Sequence, residues 1–171
     1  MRKLALIVFL LTIIGLMSAP VFATTAGSCV FSADPIDAFD PFTHSAVIGV
    51  QVQWACTANS SGAITTPTIT DSSGNPYTVP PMSGRISRVQ IVSGAGLSAG
   101  AVTLYSGSDT TDDILGGLGG TISTTSGNTK TDVPLTPTGK MLRELQKEVP
   151  TVSGTGLGSG GVFTLKVLLR W

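Results

Sequence analysis

The sequence predicts an all-β protein, a β-sandwich with one short helix. Two kinds of observation carry that reading. Hydrophobic residues alternate with polar ones in several short runs, the period-two signature of half-buried strands. The runs are separated by dense turn signals, and Gly (21), Ser (18) and Thr (23) make up over a third of the 171 residues. Only 12% of the chain is charged, with ten basic and ten acidic side chains. That is about half the usual charged share of a soluble domain and excludes a charged coiled coil or a charge-driven disordered tail. The zero net charge also lacks the electrostatic footprint of a nucleic-acid binder.

In chain order, the N-terminus comes first. Arg2 and Lys3 precede an apolar run from Leu4 to Met17, and Val21-Phe22-Ala23 follows. This layout predicts a secretory signal peptide over residues 1–23, cleaved after Ala23. The rival is an uncleaved anchor, because Leu4 to Ala23 holds no charge over 20 residues, enough to cross a bilayer. Cleavage leaves one domain over residues 24–171, net charge about −2, with no further membrane contact. Export makes a disulfide the expected state of Cys29 and Cys56, the only two cysteines, because exported compartments are oxidising.

Val47 to Trp54 ends in alternation, with Val50, Val52 and Trp54 on one face. Ala63 to Thr70 is a Thr/Ile-rich run stopped by Asp71-Ser72-Ser73-Gly74-Asn75-Pro76. Tyr77-Thr78-Val79 reads as a short strand closed by Pro80-Pro81. Ile86 to Val92 sets Ile86, Arg88, Gln90 and Val92 against Ser87, Val89 and Ile91, and Ala101 to Tyr105 is a further strand. The last strand is the clearest: Phe163, Leu165, Val167, Leu169 and Trp171 fall on one face, which marks them as core. Only Gly139 to Val149 reads as helix. Met141, Leu142, Leu145 and Val149 share a face there, Lys140 and Glu144 stand at i,i+4, and Pro150 ends it. Val92 to Leu104 echoes Val152 to Leu165, sixty residues on, each as strand, glycine-rich loop, strand. The echo is either an old duplication or two similar hairpins.

No residue set predicts catalysis. Gly156, Gly158 and Gly161 match Gly-x-Gly-x-x-Gly, but a phosphate site needs a helix after that loop, and here a strand follows. Asp34, Asp37 and Asp40, and separately Asp109, Asp112 and Asp113, lack calcium-loop spacing and read as turn residues that accept backbone hydrogen bonds. His44 has no partner ligand. The sequence thus predicts no enzyme, no metal and no cofactor.

Three stretches resemble the spore coat protein U family, secreted pilin-like domains that include subunits of archaic chaperone–usher pili. They are Cys29-Val30-Phe31-Ser32-Ala33, then Ala38-Phe39-Asp40-Pro41-Phe42, then Val50-Gln51-Val52-Gln53-Trp54-Ala55-Cys56-Thr57. Looser matches lie at Leu104-Tyr105-Ser106 and at Gly116 to Thr121. The sequence departs from the family where a glycine usually follows the first aromatic, around Asp37-Ala38-Phe39, and in its helix-like Gly139 to Val149. The resemblance implies an immunoglobulin-like sandwich that is incomplete and is completed by a donor strand. A periplasmic chaperone would supply that strand first, and other pilin-like subunits afterwards. It implies a disulfide tying the first two strands, and Phe163, Leu165, Val167, Leu169 and Trp171 as the edge where the chaperone docks.

Only Thr24 to Ser28 would separate Ala23 from Cys29, so the expectation is a terminal or tip-like unit that receives a strand and supplies none, or a self-contained secreted relative. Two alternatives stand beside this one. The first is a virion or surface-layer sandwich, complete without a partner. The second is a secreted carbohydrate-binding module, for which Trp54, Tyr77, Tyr105 and Trp171 are the available aromatics; with Trp54 and Trp171 assigned to the core, that reading is short of stacking surface.

Overall fold

The computed structural model describes residues 26–39, 46–107, 109–117, 119–120, 122–132 and 144–171. The segment read as a signal peptide, together with Asp40 and His44, lies outside them. Ten strands form two sheets, and no helix occurs among the described residues. The larger sheet contains β3 (Thr68–Thr70), β1 (Ser28–Phe39), β2 (Ala46–Thr57), β10 (Val162–Arg170) and β4 (Met82–Ser93), in that order. Beyond β4 lie β7 (Thr129–Asp132), paired with its second half, and β8 (Glu144–Glu148), paired with its first. The smaller sheet runs β6 (Asp109–Asp113), β5 (Ala101–Ser106), β9 (Pro150–Thr155).

One hydrophobic cluster joins the two sheets. Phe31, Val52, Trp54, Ile86, Ile91, Phe163, Leu165, Val167 and Leu169 from the larger sheet are buried with Val102, Leu104 and Val152 from the smaller. The arrangement is sandwich-like, as the alternating pattern predicts. In β10 alternation is complete: every second residue from Phe163 to Leu169 is buried.

The position of β10 corrects an expectation. The strand was expected at an edge. Instead it pairs with β2 on one side and β4 on the other over almost its whole length, so its backbone has no open side. A strand buried on one face and paired along both edges is the spine of the sheet rather than its docking edge. Trp171, expected in the core, lies just past this pairing and is 71% exposed.

Two local irregularities explain other departures. In β4 the alternation slips: Ile86, Val89 and Ile91 are buried while Arg88 is exposed. Leu168 pairs with Arg88 and Leu169 with Ile86, leaving Ser87 as the extra residue of a β-bulge. The bulge turns the chain by one residue so that apolar side chains on both sides of it reach the same core. The Ser87 hydroxyl donates to the Leu168 carbonyl at 3.1 Å.

The second irregularity replaces the expected helix. Within Gly139 to Val149, residues 139–143 lie outside the described ones, and Glu144–Glu148 form strand β8 against β4. One short helix is costly to nucleate, whereas these residues gain a ready edge and bury Leu145 at 2% exposure. Val149, placed on the same helical face as Leu145, is instead 39% exposed. Two other runs are shorter than the sequence suggests. From Ala63 to Thr70 only Thr68–Thr70 is strand, and Tyr77 to Val79 forms none.

The sixty-residue echo has a structural meaning, but neither copy is a hairpin. Val92 to Leu104 carries the chain from β4 in the larger sheet to β5 in the smaller, and Val152 to Leu165 carries it back from β9 to β10. Ser93 pairs with Phe163, and their counterparts sixty positions away, Ser153 and Thr103, pair with each other. Val92 with Thr164 and Val152 with Leu104 repeat the relation. The match is one of numbering only, since Ser93 and Phe163 are buried whereas Ser153 and Thr103 are half-buried, but the two arches do lie against each other. They bury Leu97 and Leu157, and the Ser98 amide donates to the Leu157 carbonyl at 2.8 Å. Gly158, with φ +80, sits where the arches meet, and a Cβ there would stand 2.6 Å from Ser98 Oγ and 2.9 Å from the Gly96 carbonyl. Gly158→Ala is therefore expected to lower stability by about 2 kcal/mol, from left-handed strain plus a clash. Urea unfolding checks it, and a cost below about 0.5 kcal/mol would contradict the tight arch packing.

Candidate functional site

Cys29 and Cys56 stand opposite each other in the β1–β2 ladder, their Cα atoms 4.0 Å apart, and they form a disulfide. Both are buried. The bond ties the first two strands, as the family resemblance implies, and an oxidising compartment is what permits it. Inward along the same two strands come Phe31 and Trp54, paired in register. Their rings meet edge to face at 5.4 Å, and Tyr77 stacks on Phe31 from the connecting loop, also at 5.4 Å.

Trp54 is 1% exposed, yet its indole Nε1–H has no hydrogen-bond partner, the one such buried side-chain atom among the described residues. Buried indole donors usually find an acceptor. Trp54 lines a slot of about 210 Å³ whose apolar walls include Ile69, Val79, Val149, Pro150 and Val152.

The slot exists because of how the chain moves between the sheets. Ile64 exchanges two backbone hydrogen bonds with Gly154, at 2.9 and 3.0 Å, so it lies beside the outer edge of β9. In an antiparallel pair the polar groups of alternate residues face the same side. Val152, two residues from Gly154, therefore also presents its N–H and C=O away from β5. Its partner across the ladder behaves in the complementary way, since the Leu104 carbonyl accepts from Ile114 at 2.7 Å on the far side of β5. A chain continuing from Ile64 would reach Val152 at Thr66. Instead Thr66 has φ +52, a strained conformation for a β-branched residue, and Pro67 follows. The chain then crosses over and pairs with β1 as Thr68–Thr70. The outer edge of β9 at Val152 is left without a backbone partner among the described residues.

A second hollow, about 370 Å³, lies at the end of the larger sheet's inner face and is lined by Phe31, Ala33, Val50, Pro81, Leu169 and Trp171, among others. Phe31 and Ala33 of β1 border it, and from Phe31 onward β1 pairs with β2 but not with β3. Inner-face apolar surface is thus uncovered where the smaller sheet does not extend. None of this was predicted from sequence. The signal available was the Thr66-Pro67 step, which breaks an otherwise strand-like run.

The remaining expectations fall as follows. Asp109 accepts from the Thr111 amide and hydroxyl, and Asp113 accepts from the amides of Leu115 and Gly117. Those two carboxylates organise turns. Asp71 does the same after β3. The Asn75 amide, then the Asn75 side chain, hold its carboxyl below the usual carboxylate value. A group lowered in this way helps hold its turn above the ordinary carboxylate pKa and ceases to as the pH falls through its own. Gly156 to Gly161 is an arch that feeds strand β10. Among the described residues no group of three or more His, Cys, Asp or Glu could hold a metal ion, and no helix is long and apolar enough to cross a membrane.

No family model matches the chain, and neither a curated protein nor a solved structure does.

The Cys29→Ala/Cys56→Ala double variant is expected to lose about 3.5 kcal/mol on the chain-entropy model for a bridge of this span, separation 27. Thermal unfolding of the variant, against the oxidised protein, measures it. A loss under about 1 kcal/mol would mean that pairing and packing hold β1 on β2 without the bond.

Proposed function

We propose that this chain is an exported structural subunit, of the pilus or surface-coat kind, that assembles by accepting an added β-strand. On this reading residues 1–23 direct export, the disulfide sets in the oxidising compartment, and the partners are a periplasmic chaperone and other pilin-like subunits. The observation that carries the reading is the slot beside β9. An open strand edge at Val152, a buried indole donor at Trp54 and apolar walls are together what an extended peptide satisfies. Backbone groups of the incoming strand would pair with Val152, one of its carbonyls would accept from Trp54 Nε1, and an apolar side chain would fill the cavity. The docking edge is then β9, in place of the β10 edge that the family resemblance implied. Pro150, which has no N–H to offer, limits how far a strand can extend along β9 and guards the edge against indiscriminate pairing.

Val149 supplies the test, because it lines the mouth of the slot while 39% exposed. Val149→Lys places a charge at the entrance without disturbing the core, so stability should change by no more than about 0.5 kcal/mol. Periplasmic expression with a chaperone of the chaperone–usher type should give a stable complex for the unaltered chain. The same chain expressed alone should lose most of its yield to aggregation, leaving a smaller soluble fraction as the free chain. Val149→Lys should lower complex yield at least tenfold. A chain that is a soluble, cooperative monomer by itself and takes up no strand overturns the proposal, as does a Val149→Lys variant that assembles normally.

A further inference from the structure

Trp171 is the most exposed large apolar side chain described, at 71%; the next, Tyr77, is at 41%. It nevertheless has a seat. Gly84 of β4 has φ +127, and a Cβ there would stand 3.1 Å from Trp171 Cε3 and 3.0 Å from the Arg170 carbonyl. The indole therefore rests against bare backbone, and position 84 is restricted to glycine both by conformation and by space. Beside the ring opens a hollow of about 850 Å³ bounded by Arg85, Glu144, Gln146, Lys147 and Arg170.

The β8 strand shapes its far wall. Ser83 pairs with Gln146 and Met82 with Glu148, which leaves Lys147 as the extra residue of a bulge. Lys147 has φ +56, and its amide donates to Ser83 Oγ at 3.0 Å. A lysine held in the left-handed region carries strain that a glycine at that place would not. Three cationic side chains thus meet one carboxylate around a single flat aromatic ring. The balance stays positive even with an α-carboxylate counted at Trp171.

We propose that this hollow binds an acidic saccharide, a carboxylated or sulfated hexose unit of a longer chain. The C–H face of a sugar ring is apolar and suits an exposed indole. Its anionic group suits arginine and lysine, whose hydrogen bonds to carboxylate or sulfate are charge-assisted. Gln146 and Glu144 offer acceptors for hydroxyl groups. A single-stranded nucleic acid fits less well, since only one aromatic is present for base stacking, whereas single-strand binders stack successive bases on several. The site uses Trp171, Arg170 and the β4–β8 edge and none of the β9 slot, so it stands or falls separately from strand assembly. It also restores the stacking surface that the carbohydrate-binding alternative lacked while Trp171 was assigned to the core.

The chain has two tryptophans, and Trp54 is buried; acrylamide quenching of the full chain therefore reports on Trp171. Dextran sulfate should shield Trp171 from quenching, and unsulfated dextran should do so at least tenfold more weakly. Trp171→Ala, followed by calorimetry, should weaken dextran sulfate binding at least tenfold, and Trp171→Phe should recover most of the loss. Lys147→Gly removes the cation and relieves the backbone, so it should weaken binding about threefold while the protein becomes no less stable. The proposal is overturned if dextran sulfate gives no shielding, or if Trp171→Ala binds it as tightly as the unaltered chain. It is equally overturned if single-stranded oligothymidylate shields Trp171 as well as dextran sulfate does, which would reveal polyelectrolyte attraction alone.

Discussion

A chain segment cannot pair with both sheets at once, and the rest of the architecture follows from where this chain makes its choice. At Ile64 it belongs to the smaller sheet, bonded to Gly154 of β9. By Thr68 it belongs to the larger one, parallel to β1. The exchange takes place at Thr66 and is accomplished by a backbone conformation that β-branched residues rarely adopt. Such strain costs on the order of 1–3 kcal/mol. The return is local to the opening it creates: an edge at Val152, an unsatisfied indole at Trp54 and apolar walls between them.

Opposite that opening, the molecule is closed. The two arches β4–β5 and β9–β10 cross between sheets in opposite directions and bond to each other, Ser98 to Leu157 and Val162 to Ala95, so each holds the other. Glycine permits this close approach, which accounts for part of the unusual Gly content. The low charge has a related cause. β10 is flanked on both sides, and residues of its outward face from Val162 to Leu168 are half-buried, leaving few positions where a charge sits in free solvent. A sandwich with one locked side and one open side is suited to accept a strand at the open side without loosening.

Much of the fold is legible in the sequence because period-two burial is local. β2, β5 and β10 fall where alternation puts them. What local pattern cannot show is order within a sheet. That β10 is central and not an edge depends on its pairing with residues as distant as Arg85 and Thr57. Bulges are similarly hidden: Ser87 and Lys147 each shift the phase by one residue, so plain alternation sets Ile86 against Val89 and Ile91 although all three are buried together. Trp171 extends the β10 alternation by one step, but the sheet does not continue beneath it. The slot was the least visible of all, since its members come from β2, β3, β9 and three connecting segments. Only the Thr66-Pro67 step marked it, and that step reads equally well as an ordinary turn.

The central claim is that Trp54 and Val152 are left unpaired for an incoming strand. Amide and indole hydrogen exchange by NMR addresses it atom by atom, comparing the free chain with its complex with a chaperone or a second subunit. Upon complex formation the Trp54 Nε1–H and the Val152 amide should become protected by at least tenfold and move downfield, with β10 unchanged because it is already paired on both sides. If those two protons exchange equally in both states while protection rises along β10 instead, the account is contradicted.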